Sequence, residues 1–448
     1  MGIFGNKRSS SVPVLAASTS AAAADGNSPF GAQHANSTLF SSPPSVSGRR
    51  FASPSDTSRD GLATPGTDVV PTEQKAGWTS FIKSLASMTG DLSSMTAPPF
   101  ILSPTSLTEF PAYWCERPEL FADIATGRTE QDRAEKVLRW FICTLKGQYT
   151  TRNEKMGSEK KPLNPVLGEE FFGVWPDVGF GETTLSVEQV SHHPPITAYF
   201  IQNKKAGVTL QGHSGQKTSF SAGSINVKQN GHAVLTVAVP GGKKENFLIT
   251  LPKLQIQGLV WGSPYIELTD STAIVSDTGF VANIDYKGKG WVSGKAHSYK
   301  ATLAHNGKTV RSYEGTWTAI GKVAKSDEIF TDATVPKTEV SVKPIEEQND
   351  WESRKLWRAT AQGIRTGDYE AASRDKSRIE ASIKFYLIFS NSTQNEQRQM
   401  RKDEASAGNQ WQLKLFQYVE SDPVYKKLAS HVKGIPSEED AYIFRGNA

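Results

Sequence analysis

Between Leu167 and Gly321 the chain is cut into short β-favouring runs, and this regular punctuation limits the fold more than any other feature. The runs are Glu170 to Trp175, Thr183 to Val190, Thr197 to Gln202, Val208 to Gln211, Ala233 to Val239, Asn246 to Leu251, Ala273 to Ser276, Val281 to Tyr286 and Val310 to Ile320. Turn residues (Gly, Asn and Asp) divide them. Such spacing predicts one meandering sheet, curled into a barrel large enough to hold a ligand. A helical pattern precedes it between Glu109 and Trp140, with Arg133 to Phe141 presenting an apolar face. After Gly321 the chain turns polar and helical, through Glu346 to Gln348 and Glu352 to Trp357. Residues from about 340 to 440 therefore read as helices covering the barrel. Helix, long β run and helices again is an α+β order.

Composition narrows the class. The 448 residues suit two or three ordinary domains, or one large one with tails. Charge is nearly balanced, with 50 basic and 46 acidic residues, so no nucleic-acid partner is implied. Two cysteines, Cys115 and Cys143, exclude a disulfide framework and fit a reducing compartment. No stretch approaches the ~20 apolar residues of a spanning helix. The segment Met1 to Arg8 lacks an apolar signal region, and Asn6 stands where a myristoylation signal wants Ser or Thr. These features predict a soluble cytoplasmic chain. Residues 1–77, rich in Ser, Ala, Pro and Gly, read as a disordered tail. Ser53-Pro54 and Thr64-Pro65 make it a candidate for phosphorylation, or it is a plain tail.

Order is expected from Trp78 onward. Trp78, Phe81, Ile82, Leu85 and Met88 fall at helical spacing, and Gly90 and Asp91 end the helix. The opposite face is Ser and Thr with one Lys. It suits either core packing or weak membrane binding by apolar insertion.

Two dense strings carry the chemistry. In Glu188-Gln189-Val190-Ser191-His192-His193-Pro194-Pro195, an alternating strand runs into a stiff Pro-Pro corner. That corner holds two imidazoles at a strand end, where both ring nitrogens can donate to an anion, a phosphate above all. In Gly157 to Glu169, Lys160 and Lys161 precede Pro162-Leu163-Asn164-Pro165. A lysine pair is usually a solvated surface feature, but with His192, His193 and Asn164 it forms a candidate polyanion cradle.

Zinc would need further ligands at recognisable spacing, whereas His34, His213, His232, His297, His305 and His431 are scattered. Ser191 beside His192 suggests a hydrolase, yet no nucleophile elbow is present. Gly290 to Ala296 has the wrong spacing for a phosphate loop. No catalytic residue, metal or cofactor is assigned.

Both strings resemble signatures of the oxysterol-binding protein family, specifically its short fungal members without extra domains. The resemblance continues through Trp78 to Pro104, Gln148-Tyr149, Gly288 to Lys295 and Glu346 to Trp357, covering residues 78 to 440. It implies a non-enzymatic, monomeric lipid-transfer domain over residues 78–448, the alternative being a phosphoinositide-regulated lipid sensor. An incomplete antiparallel β-barrel would enclose one tunnel for a sterol or phosphatidylinositol 4-phosphate, closed by a helical lid within 78–104. Trp78, Phe81, Ile82 and Leu85 would form the lid face. Lys161, Asn164, His192, His193 and Lys217 match phosphoinositide-binding positions at the mouth, completed by Lys376, Glu380 and an arginine at i+8 of a C-terminal helix. Trp114, Gln148, Tyr149 and Gln229 match sterol-binding positions, while Ser214 replaces a family asparagine. The resemblance also implies transient contact with Golgi, endoplasmic reticulum or other membranes, and some relatives carry phosphatidylserine instead of sterol.

One departure stands out. The expected arginine is displaced to Arg398 by Ala381 to Gln394, an apolar and aromatic stretch unlike its charged flanks. The stretch is either a lineage insertion, which would put Lys384 at the i+8 position, or a retained intron in the gene model. Its contrast with the flanks favours the second.

Overall fold

A computed structural model describes residues 75–87, 99–150, 160–192, 194–259, 264–288, 295–383 and 413–446. The expected tail, His193, the segment 289–294, Lys384 and Arg398 lie outside these residues, apart from 75–77 at the tail's end.

Helix α1 (Lys75–Ser87) begins three residues before the expected start. Strand β1 (Leu102–Ser106) leads to a 3-10 helix, Leu107–Cys115, begun by a capping box between Ser106 and Glu109. Helices α2 (Pro118–Asp123) and α3 (Glu130–Tyr149) follow. The Thr129 hydroxyl caps α3 by accepting from the Asp132 N–H, with acids in the first turn and Lys146 in the last matching the helix dipole. Its apolar face is fully enclosed at Val137, Leu138, Trp140 and Phe141. These side chains share one core with inward residues of the sheet such as Leu185, Val187, Ile201, Leu235 and Ile284. The helix is therefore held inside the curve of the strands.

After β2 (Lys161–Leu163), which pairs in parallel with β1, comes the main sheet. Its strands are β3 (Glu170–Trp175), β4 (Thr183–His192), β5 (Pro195–Asn203), β6 (Val208–Ser221), β7 (Ser224–Asn230), β8 (His232–Val239), β9 (Lys243–Thr250), β10 (Lys253–Gln257), β11 (Tyr265–Thr269), β12 (Ser271–Ser276), β13 (Phe280–Lys287), β14 (Ser298–His305), β15 (Lys308–Thr316), β16 (Ile320–Val323) and β17 (Ile329–Asp332). Together they form a fifteen-stranded sheet among the described residues, in which neighbours are antiparallel. The expected limit near Gly321 is too early, because β16 and β17 extend the sheet to Asp332.

β6 is the hub. One edge pairs with β5, while β7 and β8 pair with successive halves of the other. They amount to one return strand broken at Gly231, where φ is +107°. A Cβ there would lie 2.2 Å from the His213 carbonyl oxygen, so glycine is required. From the break, β7 goes on to pair with β10 and β8 with β9, splitting the sheet into two leaves. The outer edge of β3 is covered rather than exposed: Val174 and Ser341 exchange backbone hydrogen bonds, and the Glu170 N–H donates to the Trp351 carbonyl.

The last part contains α4 (Ser353–Leu356), α5 (Arg358–Thr366), α6 (Tyr369–Ile383), β18 (Phe416–Val419), α7 (Pro423–Ala429) and β19 (Ala441–Phe444). It is not purely helical, since β18 and β19 form an antiparallel pair. This layer packs on the outer face of β4 and β5, where Val190, Ile196 and Ala198 meet Leu415, Phe416 and Tyr442. Phe200 stacks on Phe444 with ring centroids 4.4 Å apart. No helix among the described residues is long and apolar enough to cross a membrane.

Candidate functional site

Period-two alternation builds the cavity wall. Ser214, Gln216 and Thr218 of β6, Ile225, Val227 and Gln229 of β7, and Leu254 and Ile256 of β10 all face one space of about 270 Å³. That volume lies near the lower end for small-molecule sites. The 3-10 helix adds Leu107, Phe110 and Trp114, and β5 adds Thr197 and Tyr199. Trp114 is held by neighbouring rings, with centroids 5.6 Å from Trp140 and 6.1 Å from Tyr199.

Helix α1 covers this space. Trp78, Phe81 and Leu85 line it, whereas Thr79, Ser80, Lys83 and Ser84 are exposed. The Trp78 indole N–H donates to the Leu259 carbonyl at 3.2 Å, tying the helix to the segment that follows β10. Ile82 is half-buried and stands outside the lining. Spacing alone placed all four residues on one face, but a curved wall meets only part of that face.

Two polar groups differ in kind. The first is neutral, with Gln148 and Tyr149 buried and Gln229 half-buried. Gln229 donates from Nε2 to the Tyr149 hydroxyl at 2.8 Å and to the Pro252 carbonyl at 2.7 Å. Gln148 donates to the Thr144 hydroxyl at 2.7 Å. The second is cationic and half-buried. Lys161 and Asn164 line the cavity. Burial, with Lys376 close by, pulls the Lys161 ammonium down to about 8, and Glu380 opposes this. Lys376 is itself paired with Glu380 at 2.5 Å on one turn of α6. Lys160 donates to the Phe100 carbonyl at 2.5 Å, and burial lowers its pKa as well.

His192 ends β4 and pairs with Pro195, which enters the cavity wall. The register slips between Gln189 and Ser191, a bulge that re-aims the strand end. Inside it, Gln189 accepts from Thr197 at 2.6 Å and donates to the Ser191 carbonyl at 2.9 Å. The Pro-Pro corner thus turns a hairpin in which β5 starts at Pro195, so the second proline is a strand residue. Lys217 is exposed on the outer face of β6 with Lys228 and Lys253, away from the cavity that Gln216 and Thr218 face. The insertion from Ala381 is described only through Ile383, where α6 ends.

Sequence reasoning gave no role to three buried acids that hold the site's frame. Glu169 accepts from Ser106 at 2.5 Å, Thr108 at 2.8 Å, the Trp357 indole at 2.9 Å and the Val166 N–H at 3.0 Å. Glu188 accepts the backbone N–H groups of Lys414, Leu415 and Phe416 at 2.9, 2.9 and 3.3 Å. Glu170 accepts from Asn349 at 3.0 Å and Lys414 at 2.6 Å. Burial pushes the Glu169 and Glu188 carboxyls up, and these donors pull them back. A glutamate at the expected buried end of a strand was the available signal.

The family model described as oxysterol-binding protein matches residues 79–373. Protein KES1 of Mycosarcoma maydis is 53% identical over 383 residues, covering 84% of this chain and 96% of that protein. Protein kes1 of Schizosaccharomyces pombe is 45% identical over 404 residues, covering 87% and 98%. Among solved structures, the Osh1 ORD domain in complex with ergosterol aligns with a TM-score of 0.59 at 22% identity, over 81% of this chain and 86% of that one. The Osh3 ORD of Saccharomyces cerevisiae in complex with PI(4)P aligns with a TM-score of 0.56 at 21% identity, over 82% and 89%.

Proposed function

This chain belongs to the oxysterol-binding protein family, a lipid-binding family and not an enzyme family, and on that premise we propose that it exchanges a sterol for phosphatidylinositol 4-phosphate between membranes. One observation carries the reading: a single lidded cavity joins an apolar wall with a neutral polar group to a cationic rim. A sterol needs the wall and one hydroxyl partner, for which Tyr149, Gln148 and Gln229 are the candidates. A phosphoinositide needs the same space for its acyl chains, with its phosphates at Lys161, Asn164, Lys376 and the His192–His193 corner. The two lipids therefore exclude one another. Solved relatives hold ergosterol in one case and PI(4)P in another, which supports the same pair here.

Exchange then follows from mass action. A phosphoinositide-rich membrane displaces sterol from the cavity, and a phosphoinositide-poor one lets sterol reload. Lid closure keeps the apolar ligand from water during passage, and contact with each membrane is transient. The chain works as a peripheral cytoplasmic monomer, and the exposed Ser/Thr face of α1 carries little charge to hold it on a surface. Phosphatidylserine in place of sterol is the second reading, because Ser214 shortens one polar wall position.

The test is transfer of dehydroergosterol between liposomes, with and without phosphatidylinositol 4-phosphate in the acceptor. Acceleration by the phosphoinositide, with its return transport, is expected. Sterol transfer indifferent to the phosphoinositide would refute exchange. Extraction of phosphatidylserine alone from mixed liposomes would favour the second reading.

A further inference from the structure

The histidines scattered through the sequence do not stay scattered. His213 on β6 and His232 at the start of β8 have ring centroids 5.0 Å apart and are 5% and 2% exposed. Residues beside them, Ser214 and Gln229, face the cavity, whereas these two rings meet the C-terminal layer. There Glu439 Oε2 lies 3.1 Å from His232 Nδ1, and Asp422 Oδ2 lies 3.4 Å from His232 Nε2. One ring nitrogen from each histidine and one Glu439 oxygen fall within 4.8 Å of one another. The other Glu439 oxygen accepts the Gly231 N–H at 3.0 Å, which fixes the carboxylate.

We propose that His213, His232 and Glu439 form a zinc site that staples the C-terminal layer to the outer wall of the barrel. Two imidazoles and one carboxylate are a zinc donor set, and the fourth tetrahedral position suits a water. The Glu439 side chain is 27% exposed, which gives that water and the ion a way in. Asp422 supplies what a metal-bound imidazole requires on its far side. With Nδ1 on the metal, the Nε2–H of His232 donates to the Asp422 carboxylate, fixing tautomer and ring orientation. The ligands come from β6, β8 and the segment before β19, so one ion joins chain positions far apart in sequence. The competing occupant is a proton, with His232 held as an imidazolium between Asp422 and Glu439.

The experiment uses the full chain, stripped with a chelator and titrated with zinc chloride by calorimetry, with metal counted by mass spectrometry. One zinc per chain at micromolar affinity or tighter is expected, with a melting temperature raised by a few degrees. Glu439→Gln and His213→Ala should each weaken zinc at least tenfold while sterol extraction from liposomes is retained. Asp422→Asn keeps the cap on α7 and should weaken zinc by roughly 10–100-fold. Should the histidine variant fail to fold, cobalt(II) in the wild-type chain gives an independent reading through its tetrahedral d–d absorption. Lack of stoichiometric uptake would overturn the proposal and leave the proton as occupant. Uptake unchanged in Glu439→Gln, but lost when His192 and His193 are replaced, would overturn it equally by placing the ion on the other histidine pair.

Discussion

The neutral polar group around Tyr149 and the cationic rim around Lys161 share one cavity, yet they are built in opposite ways. Before any lipid arrives Gln229 bonds to Tyr149 and the Pro252 carbonyl, and Gln148 to the Thr144 hydroxyl, on α3 and β7 of the main core. Lys161 is held half-buried beside a second cation, a cost that depresses its pKa to about 8. Its partners Lys376 and Glu380 come from α6, outside the sheet. The first region is bonded within the folded protein, and the second sets two cations against the one carboxylate of Glu380. Sterol binding should therefore tolerate single changes, while phosphoinositide binding should fail steeply.

The largest effect expected follows from removing the imidazole corner. Each charge-assisted bond to phosphate is worth about 1.5–3 kcal/mol. Replacing His192 and His193 together by Ala should thus weaken phosphoinositide binding a hundredfold or more, with sterol affinity unchanged, as read by liposome extraction. An equal loss of sterol binding would make the corner structural and erase the contrast.

Next comes Lys161→Ala, expected to weaken phosphoinositide binding by roughly 10–150-fold through one such bond. Wild-type affinity should also fall as pH rises through about 8, where Lys161 loses its proton. The ligand-free protein should respond with the opposite sign. Its folded-state pKa lies below the ordinary lysine value of 10.5, so between about 8 and 10.5 the unfolded chain binds more protons. Stability from this group rises across that window and is lost as pH falls through about 8. Calorimetric titrations with a soluble short-chain phosphoinositide at pH 7 and pH 9, alongside melting curves, check both signs.

Phe81→Asp strikes the cover shared by both lipids. Losing the burial of one aromatic ring is worth about 1.5–3 kcal/mol, so both ligands should weaken about tenfold or more and transfer should slow. A loss confined to sterol would show that the phosphoinositide complex does not use the lid. The smallest change expected is Gln229→Ala, which removes one neutral hydrogen bond to Tyr149. Sterol affinity should drop roughly 2–10-fold and phosphoinositide affinity less, measured by sterol fluorescence.

Much of this contrast was legible in the chain itself. The apolar alternation of β3, β4 and β8 marked their positions to within a few residues, because each has one face in the core. Strands β7 and β10 went unmarked because Lys, Gln and Asn occupy their outer positions and a cavity takes part of their inner face, whereas β14 went unmarked although Tyr299, Ala301 and Leu303 alternate into the packed core. Lys217 illustrates the limit. Beyond Gly212, β6 reads His-Ser-Gly-Gln-Lys-Thr-Ser, polar on both faces, so nothing local states which way a side chain points. Pairing with β7 settles it: Lys217 turns outward. The His213–His232 contact depends on the same long-range pairing and on the break at Gly231, neither of which has a signal in local composition.

Glu188 carries a consequence for how the chain is made. Its carboxylate is capped by backbone groups that begin 226 residues downstream. At about 5–20 residues per second, ribosomal synthesis needs roughly 10–45 s to supply them. Throughout that interval the β4–β5 hairpin keeps its Glu188 side in water, because the layer that buries the carboxylate has not yet been made. On this side Val190, Ile196 and Ala198 should therefore stay uncovered until residues 414–416 leave the exit tunnel. In a nascent chain the outer face of the signature strand is thus among the last surfaces to be covered, which makes it a natural client segment for a ribosome-associated chaperone.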